Sequence, residues 1–306
     1  MRTIRGVVVP PPTPLDSEGA RLDVAAIPPM VEYLVAGGVY GVFVNGTTGE
    51  GALLSIEERE RTAAAFAEAA AGRLAVIVQV GDASTAASAR LARHAASIGA
   101  DGVAVVAPYF FEHDQAALER HVRTVAEVCN VPTFLYDIPQ RTSNGYGLEI
   151  TRRLYADGVV VGSKDSSGNL PRMLDLLNLD GFTLLTGADH LALTTLQAGA
   201  AGMVTGPGGV FPEPYVKLFD SVEAGDLAEA ARWQRVVMQT TRALGYGGDL
   251  PLLKAALGLA LGGIGVPRPP HAPTSPERLR QVARALTDIA RDAELTDASE
   301  RFACHR

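Results

Sequence analysis

Lysine is scarce in this chain of 306 residues, where only Lys164, Lys217 and Lys254 occur among 27 basic side chains. Any chemistry that needs a lysine amine therefore has three candidates. The net charge is -7 and no block of basic residues occurs, so nucleic acid and anionic membranes are unfavourable partners.

Cysteines and long apolar runs are also rare. Cys129 and Cys304 are too few and too far apart to predict a disulfide framework or a cysteine-rich metal site. The longest apolar stretch, Ala255 to Val266, is far below the roughly 18 residues of a membrane span, and the first residues do not resemble a signal peptide. The six histidines show no paired ligand spacing, and neither a Walker loop nor a dinucleotide fingerprint occurs. We expect a cytoplasmic protein without metal or cofactor.

Eight short β-branched runs alternate with alanine-rich helical stretches over residues 1–224. The runs are almost continuously apolar, as in parallel strands buried on both faces. They are Gly6 to Val9, Gly41 to Val44, Leu74 to Val80, Gly102 to Val106, Pro132 to Tyr136, Val159 to Ser163, Phe182 to Thr186 and Gly202 to Val204. This alternation predicts an α/β fold, a (β/α)8 TIM barrel, with a doubly wound sheet as the alternative.

Residues 225–306 contain helical patterns with no strands between them. They predict three helices, from Asp226 to Leu244, Leu250 to Leu261 and Pro276 to Arg291, and a frayed tail after Glu294. No low-complexity linker separates this C-terminal helical extension, so we expect it to pack on the barrel. Within the barrel, Ser55 and Glu58 form the sequence pattern of a capping box that starts a helix running to about Ala71.

Reactive groups of such barrels lie at the carboxyl ends of the strands. Lys164 ends the sixth strand, immediately before the loop Ser166 to Asn169, whereas Lys217 and Lys254 fall in helices and are expected to be surface or interface residues. A lysine that is buried at a strand end has a lowered pKa and can attack a carbonyl to form an imine. An ion pair with Asp165 or another carboxylate is the structural alternative.

Two further clusters follow strands two and five. The first is the segment Asn45 to Gly51, Asn-Gly-Thr-Thr-Gly-Glu-Gly, whose hydroxyl and N–H groups suit a carboxylate. The second contains Tyr136, which could carry a proton, and Arg141, which could hold a carboxylate. Taken singly, each has a structural explanation: a plain turn, a buried tyrosine or a solvated arginine.

The three motifs occur together in order: Gly-Thr-Thr-Gly-Glu, Tyr-x-x-Pro-x-Arg-Thr and Gly-x-Lys-Asp-x-x-Gly-Asn. In this combination the chain resembles the dihydrodipicolinate synthase and N-acetylneuraminate lyase family of Schiff-base aldolases. The resemblance implies that Lys164 forms an imine with pyruvate or another 2-keto acid and that Tyr136 transfers the proton. It further implies that Thr47 and Thr48 bind the keto-acid carboxylate, that Thr48 joins Tyr136 in a proton relay, and that the pocket beneath the lysine is lined by Gly187 and Val204.

Departures from the synthase pattern bear on the substrate. Phe110 stands where the synthases carry a tyrosine that reaches the neighbouring subunit's site, and a phenyl ring cannot pass a proton. Arg141 is the synthase-like feature and favours an acidic or polar second substrate. We therefore expect a lyase acting on a 2-keto-3-deoxy or 4-hydroxy-2-keto acid.

Other functions stay open. The first alternative is dihydrodipicolinate synthase activity, which condenses pyruvate with aspartate semialdehyde; a keto-deoxy acid dehydratase and a non-catalytic keto-acid-binding barrel follow. A metal-dependent lyase is the weakest, because no ligand cluster is evident. The family and the aromatic loop from Tyr109 to Phe111 further imply a homodimer or homotetramer.

Overall fold

The computed structural model describes residues 2–303 and contains a closed barrel of eight parallel strands. Each strand pairs with the next along the chain, and β1 closes the barrel against β8. The strands are β1 (Gly6–Val9), β2 (Gly41–Val44), β3 (Ala75–Gln79), β4 (Gly102–Val106), β5 (Thr133–Asp137), β6 (Gly162–Asp165), β7 (Thr183–Thr186) and β8 (Gly202–Val204). The predicted TIM barrel is therefore confirmed, and the doubly wound alternative is wrong.

Fourteen helices of four or more residues occur within the described part of the chain. They are α1 (Ile27–Ala36), α2 (Ile56–Ala70), α3 (Thr85–Ser97), α4 (Gln115–Glu127), α5 (Pro139–Thr142), α6 (Leu148–Ala156), α7 (Leu170–Leu177), α8 (Ala192–Gln197), α9 (Pro207–Val210), α10 (Glu213–Glu223), α11 (Leu227–Ala243), α12 (Leu250–Leu261), α13 (Pro276–Asp292) and α14 (Thr296–Ala303). The capping box predicted at the start of α2 is present in full, with Ser55 and Glu58 exchanging hydrogen bonds.

Side chains fill the inside of the barrel, as expected for eight strands. Val8, Phe43 and Ala104 are completely buried there. Glycine is needed where strands approach most closely: a Cβ on Gly162 would lie 2.0 Å from the carbonyl oxygen of Thr183 on the next strand. The interior is therefore packed, and the cavity that could hold a ligand lies at the strand ends.

Two expectations about element boundaries are wrong. The sixth strand spans Gly162–Asp165 instead of Val159 to Ser163, although Lys164 does lie at its carboxyl end. The tail after Glu294 is not frayed over the described residues, because α14 buries Ala298 and Phe302, and the Phe302 ring packs edge-on against Phe211 at 5.6 Å. Cys304 and His305 lie outside the described residues.

The C-terminal helices share a core with the barrel. Leu252 and Leu257 of α12, Leu286 of α13 and Phe302 of α14 belong to the same buried apolar cluster as Val42 of β2. Nowhere in residues 2–303 is a helix both long and apolar enough to cross a membrane. Over that range no three His, Cys, Asp or Glu side chains gather as a metal-binding group.

Candidate active site

Lys164 points into the barrel beside Tyr136. The two residues are direct partners in the ladder between β5 and β6. Lys164 is 4% exposed, and its Nζ lies 4.0 Å from the ring centroid of Tyr136 and 4.2 Å from that of Phe43. Burial lowers the pKa of Lys164, and the hydroxyl of Tyr136 opposes this shift. Asp165, the proposed structural partner, instead pairs with Arg172 at 3.1 Å.

Thr47, and not Thr48, contacts the tyrosine. The hydroxyl of Thr47 lies 2.9 Å from the hydroxyl of Tyr136, in a hydrogen bond whose donor either oxygen could be. The relay position was predicted for Thr48, but the hydroxyl that bonds to Tyr136 is that of the neighbouring Thr47. Thr48 lines the cavity and lies close to Gly206: a Cβ added to Gly206 would be 3.4 Å from the Thr48 hydroxyl.

The loop that carries both threonines is tightly constrained. Asn45 and Glu50 have φ values of 61° and 57°, in the left-handed region that non-glycine residues seldom adopt. Thr13 donates a hydrogen bond to the carbonyl of Gly49 at 2.7 Å. At Gly51 a Cβ would lie 2.1 Å from the Asn45 carbonyl oxygen, so the turn requires glycine.

Behind the lysine, Arg172 ties the ends of β5 and β6 together. Its Nε lies 3.2 Å from Asp137 and 3.1 Å from Asp165, and all three side chains are mostly buried. Asp137 also accepts a hydrogen bond from the backbone N–H of Tyr146 at 3.0 Å. Burial raises the pKa of Asp137 to about 6, and Arg172 opposes this shift. The sequence analysis missed this cluster, because the spacing of Asp137 and Arg172 carries no local signal.

All seven predicted site residues line one cavity of about 550 Å³ at the carboxyl ends of the strands. They are Thr47, Thr48, Tyr136, Arg141, Lys164, Gly187 and Val204. Arg141 is exposed at the short helix α5, whereas Lys164, Tyr136 and Val204 are buried. The cavity thus combines an enclosed amine, a phenol and an open cationic edge.

Asp189, a residue for which no site role was predicted, also lines the cavity. Asp189, which follows β7, accepts a hydrogen bond from the hydroxyl of Thr241 at 3.0 Å, and Thr241 in turn contacts the hydroxyl of Tyr215 at 2.9 Å. Asp189 and Thr241 both line the cavity. Burial raises the pKa of Asp189 to about 6, against hydrogen bonds from Thr241, Thr205 and Tyr215. In the sequence, the neighbouring pair Asp189-His190 is the one local feature that marks this position.

The other two lysines lie away from this cavity. Lys217 is exposed on α10, with its Nζ 5.2 Å from the ring of Trp233. Lys254 was expected at the surface or an interface, but it is 1% exposed and pairs with Glu50. That expectation is wrong because α12 packs directly on the loop after β2.

Comparison with known sequences identifies one family. The sequence model of the dihydrodipicolinate synthetase family matches residues 3–289. An uncharacterised DapA-like lyase from Halobacterium salinarum is 37% identical over 257 residues, covering 84% of each chain. A 4-hydroxy-tetrahydrodipicolinate synthase from Methanospirillum hungatei is 30% identical over 272 residues, covering 87% of this chain and 93% of that protein.

Solved structures agree with the sequence comparison. The crystal structure of YagE, a prophage protein of the dihydrodipicolinic acid synthase family from E. coli K12 in complex with pyruvate, has a TM-score of 0.87 to this chain. The two are 26% identical, and the match covers 94% of this chain and 99% of the other.

Proposed function

The chain belongs to the dihydrodipicolinate synthetase family of Schiff-base lyases, and we propose that it forms or cleaves a carbon–carbon bond between pyruvate and an aldehyde. The observation that carries the proposal is the buried amine of Lys164, held 4.0 Å from the Tyr136 ring, with no carboxylate among residues 2–303 forming an ion pair with it. A neutral amine is the form that attacks a carbonyl.

The proposed reaction begins with attack of the Lys164 amine on the keto carbon of pyruvate. Loss of water gives the protonated imine, and loss of a proton from the methyl carbon gives the enamine. The enamine carbon then bonds to the aldehyde carbon, whose oxygen takes up a proton, and water releases the product from the lysine. Cleavage follows the same steps in reverse.

Tyr136 is the proposed proton carrier, because its hydroxyl interacts with the Lys164 amine and can both donate and accept a proton. The 2.9 Å contact with Thr47 supports a relay through that threonine. Thr47 and Thr48, which both line the cavity, are proposed to bind the carboxylate of pyruvate, with Gly187 and Val204 lining the pocket beneath the lysine.

We propose a 2-keto-3-deoxy or 4-hydroxy-2-keto acid as the substrate. Asp189 and Thr241 both line the cavity and support this choice, since polar lining residues suit the hydroxyl groups of a sugar-acid chain. Arg141 at the exposed edge suits an anionic group. The same arginine favours the second candidate, 4-hydroxy-tetrahydrodipicolinate synthesis, in which it would hold the carboxylate of aspartate semialdehyde.

A comparison of substrates tests the choice. Pyruvate release from a series of 2-keto-3-deoxy acids is followed with lactate dehydrogenase, and condensation of pyruvate with aspartate semialdehyde is followed at matched concentrations. We expect kcat/KM for the best keto-deoxy acid to exceed that for aspartate semialdehyde at least tenfold. The reverse order assigns the synthase activity. Consumption of the keto acid without pyruvate release assigns a dehydratase, and binding without turnover of any compound assigns a binding barrel.

A further inference from the structure

A buried ion pair joins the C-terminal helices to the loop after β2. Lys254 of α12 places its Nζ 2.8 Å from Oε1 of Glu50, and both side chains are 1% exposed. The second carboxylate oxygen of Glu50 accepts the backbone N–H of Arg268 at 2.5 Å. Both oxygens of this carboxylate are therefore held by residues that come after the last barrel strand.

Glu50 belongs to the turn that presents the threonines. Its backbone N–H donates to the carbonyl of Thr47 at 3.0 Å, and the N–H of Gly51 donates to Gly46 at 3.2 Å. Glu50 keeps a left-handed backbone at φ 57°, which is unfavourable for a residue with a side chain. The contacts of its carboxylate restrain this conformation from outside the turn, together with the hydrogen bond from Thr13 to Gly49.

Stability alone is a weak reason for such a pair. Moving two charges out of water has a free-energy cost that offsets much of their mutual attraction. Apolar side chains of similar volume often stabilise a protein equally well. An ion pair with a second hydrogen bond differs from apolar packing in fixing direction and distance. The pair is therefore suited to holding the turn in one geometry.

We propose that Lys254 is a positioning residue that, through Glu50, holds Thr47 and Thr48 in the geometry that binds the keto acid. The proposal rests on the proposed function, because it assumes that these threonines contact pyruvate. It makes the C-terminal helical extension part of the substrate-binding machinery rather than a covering for the barrel.

The test is the concentration of pyruvate that half-saturates borohydride trapping, measured by intact mass in the absence of any aldehyde. The variant is Lys254→Met with Glu50→Gln, which removes both charges and leaves neither buried alone. The matched control is Arg301→Met with Glu213→Gln, since that 2.5 Å pair also joins the extension to the barrel but lies away from the cavity. Thermal unfolding is recorded for all three proteins.

We expect the Lys254/Glu50 variant to need at least tenfold more pyruvate for half-saturation while reaching the wild-type maximum. The control should stay within twofold of wild type, whatever its melting temperature. A Lys254/Glu50 variant within twofold of wild type, or a control that shifts equally, would overturn the proposal. If the double variant does not fold, Glu50→Gln alone serves, with a rise of at least threefold expected and no rise counting against the proposal. Absence of any adduct in wild type would instead refute the proposed function.

Discussion

Successive residues of β6 have opposite surroundings because side chains alternate across a strand. Lys164 faces the barrel interior and meets two aromatic rings, whereas Asp165 faces outward and meets Arg172. Lys164 is thus kept apart from Asp165, although the two are neighbours in sequence. Burial is the main influence on the pKa of Lys164. This alternation makes a neutral amine compatible with an adjacent aspartate.

The two threonines should differ in function despite being neighbours. Thr47→Val removes the hydroxyl bonded to Tyr136, so we expect kcat to fall about 100-fold. This is near the lower end of the rate increase that a positioned acid or base usually provides. Thr48→Val should mainly raise KM for pyruvate, with a smaller effect on kcat. Steady-state kinetics of both variants check this, and the opposite pattern would return the relay to Thr48.

Asp137 should make stability depend on pH. Its pKa rises from 3.8 to about 6 in the folded protein because of burial, so the folded protein holds this proton more tightly than the unfolded chain. The raised pKa of Asp137 therefore contributes fully to the free energy of unfolding below about pH 4, and this contribution is lost as pH rises through 6. At about 1.4 kcal/mol per pKa unit the loss is about 2 to 3 kcal/mol.

Asp137→Asn removes this titration. Denaturant unfolding between pH 4 and pH 7.5 should show the variant gaining stability relative to wild type as pH rises. A difference in the free energy of unfolding that does not change with pH would contradict the raised pKa of Asp137.

At the scale of elements, the strands were predictable because parallel strands buried on both faces are nearly all apolar. The strand β6 was predicted with shifted bounds, because Lys164 and Asp165 are polar although they continue the ladder to β7. The helix α14 was missed because its burial depends on contact with Phe211, which is far away in sequence. Strand pairing in the first case and helix packing in the second are contacts between distant parts of the chain.

The start of α2 offers a direct test of a local signal. Ser55→Ala removes the side-chain acceptor of the capping box and should lower the free energy of unfolding by about 1 kcal/mol. Ser84→Ala at the start of α3 is the matched control, because Ser84 makes no side-chain capping bond. Denaturant unfolding should leave the control within about 0.5 kcal/mol of wild type. Equal losses in the two variants would contradict a specific role for the box.

The candidate site was predictable where motifs follow strand ends, because the barrel brings those ends together. The residues missed there, Asp189, Arg172 and Glu50 with its partner Lys254, act through contacts between distant parts of the chain. Their sequence neighbourhoods hold no motif that specifies a partner. The division into a barrel over 1–224 and an extension over 225–306 stays a proposal, and the shared core argues that the two parts fold together.

At the scale of the whole molecule, we propose a homodimer or homotetramer built through the aromatic loop. Phe110 and Phe111 are 85% and 64% exposed, and their rings pack edge-on at 4.9 Å. Changing both to serine should shift light-scattering mass toward the monomer at micromolar concentration. Leu227→Ser, at another exposed apolar residue, should not. A monomeric wild type, or an unchanged mass in the double variant, would contradict this assembly.

The central claim is that Lys164 forms an imine with pyruvate. Intact mass after incubation with pyruvate and sodium borohydride tests it most directly, using wild type, Lys164→Ala and, as a lysine control, Lys217→Ala. The account predicts one adduct of the mass of reduced pyruvate on wild type and on Lys217→Ala, and none on Lys164→Ala. No adduct on wild type with pyruvate or any other 2-keto acid, or an adduct that persists in Lys164→Ala, would contradict it.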